Sequence, residues 1–192
     1  MTKKTAKAEA TKTEIVEAAL ELFFEKGYEN TSIRMIQSKI GREVGSFYYH
    51  FSSKDDVMEA AIELFFSSYE GKMQAILADG MNSSEHVLLD YIDYIDEATQ
   101  NFREQYLTKL HWSILGAIRE HTICIMKKYI QQILDFYLET QKIVRPTCGI
   151  DVAANMLAFS IGGSILYQSK ESYREQRKAV LAIIPLLIGI EG

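Results

Sequence analysis

The sequence predicts an all-helical fold, and three observations predict it. Only two prolines fall in 192 residues. Alternating β-branched runs of the kind that build strands are almost absent. Apolar residues recur at steps of three and four between residues that start and stop helices. The first helix is expected from near Thr11, where Thr11 and Glu14 have capping-box spacing, to Lys26. Ile15, Ala18, Ala19, Leu22 and Phe23 make its apolar stripe, and Gly27 is suited to end it in the left-handed conformation. A second, short helix capped by Asn30 or Thr31 carries Ile33, Ile36 and Ile40 and stops at Gly41. A third segment runs from about Glu43 to Phe51. Ser53 and Asp56 form another capping box and open a fourth helix. Its stripe is Val57, Ala60, Ala61, Leu64 and Phe65, and it extends into the seventies as a connector. Gly80, Asn82, Ser83 and Ser84 read as a break. Beyond it five helices are expected, near 84–100, 103–118, 120–141, 149–170 and 173–189.

Composition bounds the class. A chain of this length with 47% hydrophobic residues holds one or two small domains and is not wholly disordered. Two prolines and 11 glycines exclude collagen-like and low-complexity classes. Cys124 and Cys148 are too few for a disulfide framework and lack zinc-ligand spacing, so reduced thiols and a cytoplasmic location are expected. Cys124, between Ile123 and Ile125, is expected to be buried. The lysine-bearing first residues precede no apolar segment, so no secretory signal is expected. The longest apolar stretch, Ala179 to Ile190, is shorter than the roughly 20 residues a membrane span needs. The net charge is −5, yet between Asn30 and Lys54 the basic residues Arg34, Lys39, Arg42 and Lys54 face Glu43 alone. From Ala61 onward acidic residues outnumber basic ones. A small nucleic-acid-facing element on an acidic body fits that asymmetry.

Two short helices joined by a tight glycine turn make the helix-turn-helix device, whose second helix enters the major groove. Gly45 and Ser46 are small enough for close approach, and Tyr48, Tyr49 and His50 supply donors on aromatic bodies. Arg42, at the mouth of that helix, can reach a guanine edge or a phosphate. Lys54 stands in the first turn of the fourth helix, where backbone N–H groups and an ammonium together hold a phosphate. A solvated helical hairpin with aromatic packing has the same spacing.

The residue order over this region resembles the N-terminal domain of the TetR family of transcriptional repressors. The matching string is Ile15, Ala18, Ala19, Leu22, Phe23, Gly27, Tyr28, Thr31, Ile33, Ile36 and Gly41, then Gly45 through Phe51 and Ser53 through Asp55. Gln37, Ile40, Arg42 and Glu43 depart from the family's usual pattern. The resemblance implies phosphate contacts at Thr31, Tyr48, His50 and Lys54. It implies base-facing positions at Val44, Gly45, Ser46 and Tyr49, with Arg34 and Arg42 at the flanks. Phe47 and Phe51 read as core. It further implies a flexible basic arm over 1–11, a DNA-binding domain over 12–58, and a helical effector-binding and dimerisation domain over 59–192.

For the last domain, residues suited to a dimer interface are Ala154, Leu157, Ile161, Ile165, Val180, Ile184 and Leu187, because the final helix is apolar on too many sides for one partner. Aromatic and polarizable residues suited to an effector pocket are Tyr91, Tyr94, Phe102, Tyr106, His111, Trp112, Met126, Phe136, Tyr137, Met156 and Phe159. Plain core is the other reading of each. Asp90, Asp93, Asp96 and Glu97 suit either a cationic ligand or a solvated face.

No HExxH, Glu-x-x-His pair, nucleophile elbow or phosphate-binding glycine loop occurs, so neither an enzyme nor a cofactor or metal is expected. The expectation is a ligand-responsive repressor that binds double-stranded operator DNA as a homodimer, answers to a small apolar or aromatic effector, and makes no membrane contact. A helical small-molecule-binding or adaptor protein without DNA binding is the alternative, and a helical-bundle enzyme a third.

Overall fold

The computed structural model describes residues 3–83, 86–107, 110–162 and 170–188. These form α1 (Lys3–Lys26), α2 (Ile33–Lys39), α3 (Val44–Phe47), α4 (Lys54–Ser83), α5 (Val87–Tyr106), α6 (Trp112–Glu139), α7 (Ile150–Gly162) and α8 (Lys170–Ile188), with no strand among the described residues. The chain divides into two compact units. The first reaches Ser68 and takes in Tyr106–Ile118, and the second holds Tyr69–Gln105 and the chain from Arg119 on.

In the first unit the expected stripe of α1 is the core: Ile15, Ala18, Ala19, Leu22 and Phe23 are all buried. Ile36 of α2, Phe47 and Phe51 close over it, with Val57 and Ala61 of α4. The α4 stripe then runs through Ile62 and Phe66, while Leu64 is exposed. Helix α1 starts at Lys3, so the segment expected to be a free basic arm continues the helix. Thr11 does not cap it. Its hydroxyl donates back to the Lys7 carbonyl at 3.0 Å, a bond that needs the preceding turn to be helical already.

Helix α2 is capped by Ser32, whose hydroxyl accepts from the Met35 amide at 3.2 Å. Asn30 and Thr31, the expected caps, bond backward to α1 and its turn. The end of α2 is a Schellman motif: the Arg42 amide donates to the Gln37 carbonyl at 2.9 Å and the Gly41 amide to the Ser38 carbonyl at 3.2 Å. That motif requires a positive φ, and Gly41 takes +66°. Gly27 ends α1 at +79° with a single αL-type bond, its amide donating to the Phe23 carbonyl at 2.9 Å. The Ser53–Asp56 capping box forms as expected, with Ser53 Oγ 2.7 Å from Asp56 Oδ1 and the Asp56 amide 3.1 Å from Ser53 Oγ. These bonds, with one from the Ser52 amide, hold the Asp56 carboxyl below its ordinary value.

In the second unit Met73, Leu77, Tyr91, Ile95, Met126, Tyr129, Ile133 and Tyr137 are buried. Gly80 is not a break. It lies inside α4, where a Cβ would stand 2.3 Å from Val87 Cγ2, so its lack of a side chain lets α4 and α5 meet. Of the five helices expected beyond it, the first three merge into α5 and α6, because α5 runs unbroken past 101 to Tyr106 and α6 runs unbroken through 119 from Trp112. Helix α7 packs on α8. Cys124 is exposed, since it sits on the outer face of α6 while its neighbours Ile123 and Ile125 turn inward.

Candidate nucleic-acid interface

Helix α3 is shorter than the expected Glu43–Phe51 segment, and with the turn over 48–51 that follows it makes a two-faced element. Phe47 and Phe51 point into the core, their rings 5.7 Å apart, which fixes the helix against α1 and α2. The opposite side is open. Tyr48 is 59% and Tyr49 76% exposed, far beyond what large aromatics tolerate without a reason. His50 is half-buried against the Tyr49 ring, at 4.9 Å between centroids. Gly45 is exposed with open space where a Cβ would stand, and Val44 and Ser46 are half-buried beside it. The outward face therefore presents a flat, small-residue strip rimmed by two phenols.

Two of the cations around that strip, Arg42 and Lys39, are held by α1. Arg42 donates through Nε and Nη2 to Glu14 Oε2 of α1, at 3.2 and 2.8 Å. Lys39 pairs with Glu21 of α1 at 2.8 Å, which raises its pKa. Arg34 is exposed. Glu43 begins α3 without a side-chain capping bond.

Two residues expected at phosphates are turned inward. The Thr31 hydroxyl is buried and donates toward the Gly27 carbonyl at 2.9 Å and the Leu22 carbonyl at 3.2 Å, because it must satisfy the end of α1. Lys54 Nζ reaches the carbonyls of Tyr28 at 2.8 Å and Thr31 at 3.1 Å and lies 3.9 Å from the Tyr28 ring centroid. Both side chains clamp the turn between α1 and α2. Tyr28 completes the clamp by donating its hydroxyl to Asp55. Burial and that bond push the Tyr28 phenol up to about 12.

Sequence reasoning missed the segment that backs this turn. The His111 ring fills the space beside Gly27, where a Cβ would be 2.4 Å from Nδ1. Ser113 Oγ accepts from the Tyr28 amide at 3.4 Å and lies 2.9 Å from His111 Nδ1. No local pattern signals a contact between residues 85 positions apart.

The expected pocket residues fall in both units. Tyr106, His111 and Trp112 belong to the first unit, with Trp112 exposed. Met156 and Phe159 are exposed on α7, because the inward face of that helix is taken by Ala153, Leu157 and Ile161. Tyr91, Phe102, Met126 and Tyr137 are buried in the second unit, and Tyr94 and Phe136 are half-buried. The expected dimer residues Ala154, Leu157, Ile161, Val180 and Ile184 are buried within the single chain, where α7 packs on α8. Ile165 and the Leu187 side chain lie outside the described residues. The acidic run of α5 is partly neutralised within the chain: Arg177 of α8 pairs with Asp93 and stands 3.7 Å from Asp96 Oδ2.

A glycine-turned helix pair with an open tyrosine face over a phenylalanine core defines a helix-turn-helix DNA-binding domain. Residues 15–61 match the model of the bacterial regulatory proteins of the tetR family. The chain is 27% identical over 117 residues to the transcriptional repressor KstR2 of Rhodococcus jostii (strain RHA1), covering 52% of this chain and 57% of that one. It is 24% identical over 179 residues to the repressor DhaR of Mycobacterium sp. (strain GP1), covering 88% of each. Among solved structures, RolR in complex with resorcinol is similar at a TM-score of 0.62 and 19% identity, over 97% of this chain and 91% of that one. Reduced NemR of E. coli is similar at 0.59 and 15%, over 93% and 98%. Residues 15–61 thus resemble the helix-turn-helix domain of the tetR family, and the relatives KstR2 and DhaR are transcriptional repressors.

Proposed function

We propose that the protein is a repressor that grips a palindromic operator as a homodimer and lets go when a small apolar or aromatic effector binds. The exposed Tyr48–Tyr49 face of α3 carries the reading. It offers Val44, Gly45, Ser46 and Tyr49 to base edges and Tyr48, His50 and Arg34 to the phosphates on either side. Thr31 and Lys54 hold the turn that sets the angle of α3. Arg42 joins the contacts once phosphate displaces Glu14.

SmeT has been solved with triclosan and RolR with resorcinol, both aromatic compounds, and both structures share this fold. The second unit has the buried aromatic material for a site of that kind. Helix α4 contributes residues to both units and is the element through which an effector acts on the first. To shift the protein from 99% DNA-competent to 99% released, the effector must favour the released form by about 5.5 kcal/mol. No described helix is long and apolar enough to cross a membrane; the site of action is the cytoplasm, where the DNA is.

Selection from a random duplex library, followed by fluorescence anisotropy, tests the reading. Expected are palindromic sites with half-site centres about 34 Å apart and affinity that falls linearly in log salt. Binding without sequence preference, or none, overturns it.

A further inference from the structure

Two phenols in the second unit lack the partners that burial demands. Tyr91 of α5 and Tyr129 of α6 are both buried, with ring centroids 6.1 Å apart. The Tyr91 hydroxyl donates to Met73 Sδ of α4 at 3.8 Å, and a thioether is a weak acceptor. The Tyr129 hydroxyl has no hydrogen-bond partner among the described residues. Phenylalanine at either position would fill the same space without the penalty of an unmet hydroxyl. The contrast is Tyr137, in the same core, whose oxygen accepts from the Leu88 amide at 3.1 Å. An unmet donor beside a poorly met one is a place where an acceptor belongs.

The surroundings define that acceptor. Burial raises the Tyr91 phenol well above its ordinary value, so it remains an O–H donor at any working pH. Lys128 Nζ, 5.1 Å from the Tyr129 ring centroid, is paired with Glu70 of α4 at 3.6 Å, so the charges beside the phenols cancel. Two neutral donors do not offset the desolvation of a buried anion, and the Glu70 carboxylate near Tyr91 is already paired with Lys128 rather than open to a cation. Met73 and Met126 are the buried thioethers on the neighbouring faces, and methionine repacks readily around an incoming group.

Resting on the effector-binding reading above, we propose that the Tyr91–Tyr129 pair is the polar end of the effector site, and that the effector is a compact, neutral, largely apolar molecule whose carbonyl-type oxygen accepts from both phenols. Acetophenone and ethylbenzene, alike in shape and different in that oxygen, are the probes. Calorimetric titration of the full chain without DNA should show acetophenone binding at least about tenfold more tightly than ethylbenzene, the worth of one net hydrogen bond. Tyr129→Phe should fold as well as the parent and lose most of the preference, whereas Tyr137→Phe should keep it. A purely structural Tyr129 would change the melting temperature and leave the probes undistinguished. Failure of the parent to bind acetophenone, equal affinity for both probes, or a preference that survives undiminished in Tyr129→Phe overturns the proposal. Because no DNA is present, loss of operator binding would leave this result standing, and the reverse also holds.

Discussion

Arg42 and Lys39 carry charge that a duplex would meet, and each is held by a carboxylate of α1. These are surface ion pairs, worth about 0–1 kcal/mol to the fold. Their weight falls on binding instead, because a phosphate must displace Glu14 before Arg42 can act. Glu14→Gln frees the guanidinium and removes one negative charge near the interface. The expected result is tighter binding to any duplex, a salt-dependence slope steeper by about 0.9, and a melting temperature within a few degrees of the parent. Anisotropy across a range of salt reads the slope, and an unchanged slope would show that Arg42 stays with Glu14 on the DNA. Thr31 and Lys54 carry a different lesson. Their residue types suited phosphate, but the same hydroxyl and ammonium also suit open carbonyls, those of Leu22 and Gly27 for Thr31 and those of the α1–α2 turn, 26 and 23 positions away, for Lys54.

Among the elements, α4 and α5 depend most on one small residue. A Cβ at Gly80 meets Val87 Cγ2 at 2.3 Å and Val87 Cβ at 2.7 Å, and Val87 is itself fully buried. Alanine gains helix propensity but forces the two helices apart, so Gly80→Ala should cost about 1–3 kcal/mol. Urea denaturation measures it, and a stabilised variant would show that Val87 simply turns aside. The same glycine marks where the sequence misled. Gly followed by Asn-Ser-Ser reads as punctuation unless the partner helix is known, and the partner is set by tertiary packing. The stripe of α1 and the Schellman end of α2 were legible because period and turn chemistry are local. Capping by Ser32 rather than Thr31 was not, because Thr31 is drawn away by Leu22 and Gly27. The tyrosine face of α3 was legible from the alternation of phenols with Phe47 and Phe51. The clasp of His111 and Ser113 on the turn at Tyr28 has no signature in spacing.

For the whole molecule, assembly follows from what α7 and α8 leave uncovered. Ala154, Leu157, Ile161, Val180 and Ile184 are already buried within the single chain. Val152, Met156 and Phe159 remain exposed at steps of four and three along α7, one apolar face, and Ile183 is exposed on α8. A second copy of this chain is the proposed cover, since two protomers must also bring two α3 helices to one palindrome. Met156 is 48% and Phe159 49% exposed in the single chain, so replacing either with glutamate should leave the monomer fold intact. In a dimer each glutamate would be buried against its symmetry mate without a partner. At about 3 kcal/mol for an uncompensated buried charge, dissociation should strengthen by more than a hundredfold. Sedimentation velocity at micromolar protein should find the parent dimeric and Phe159→Glu monomeric, with unchanged helix content by circular dichroism. Binding to a full palindrome should drop to the affinity of a single half-site. A Phe159→Glu protein that still sediments as a dimer would move the interface off this face of α7.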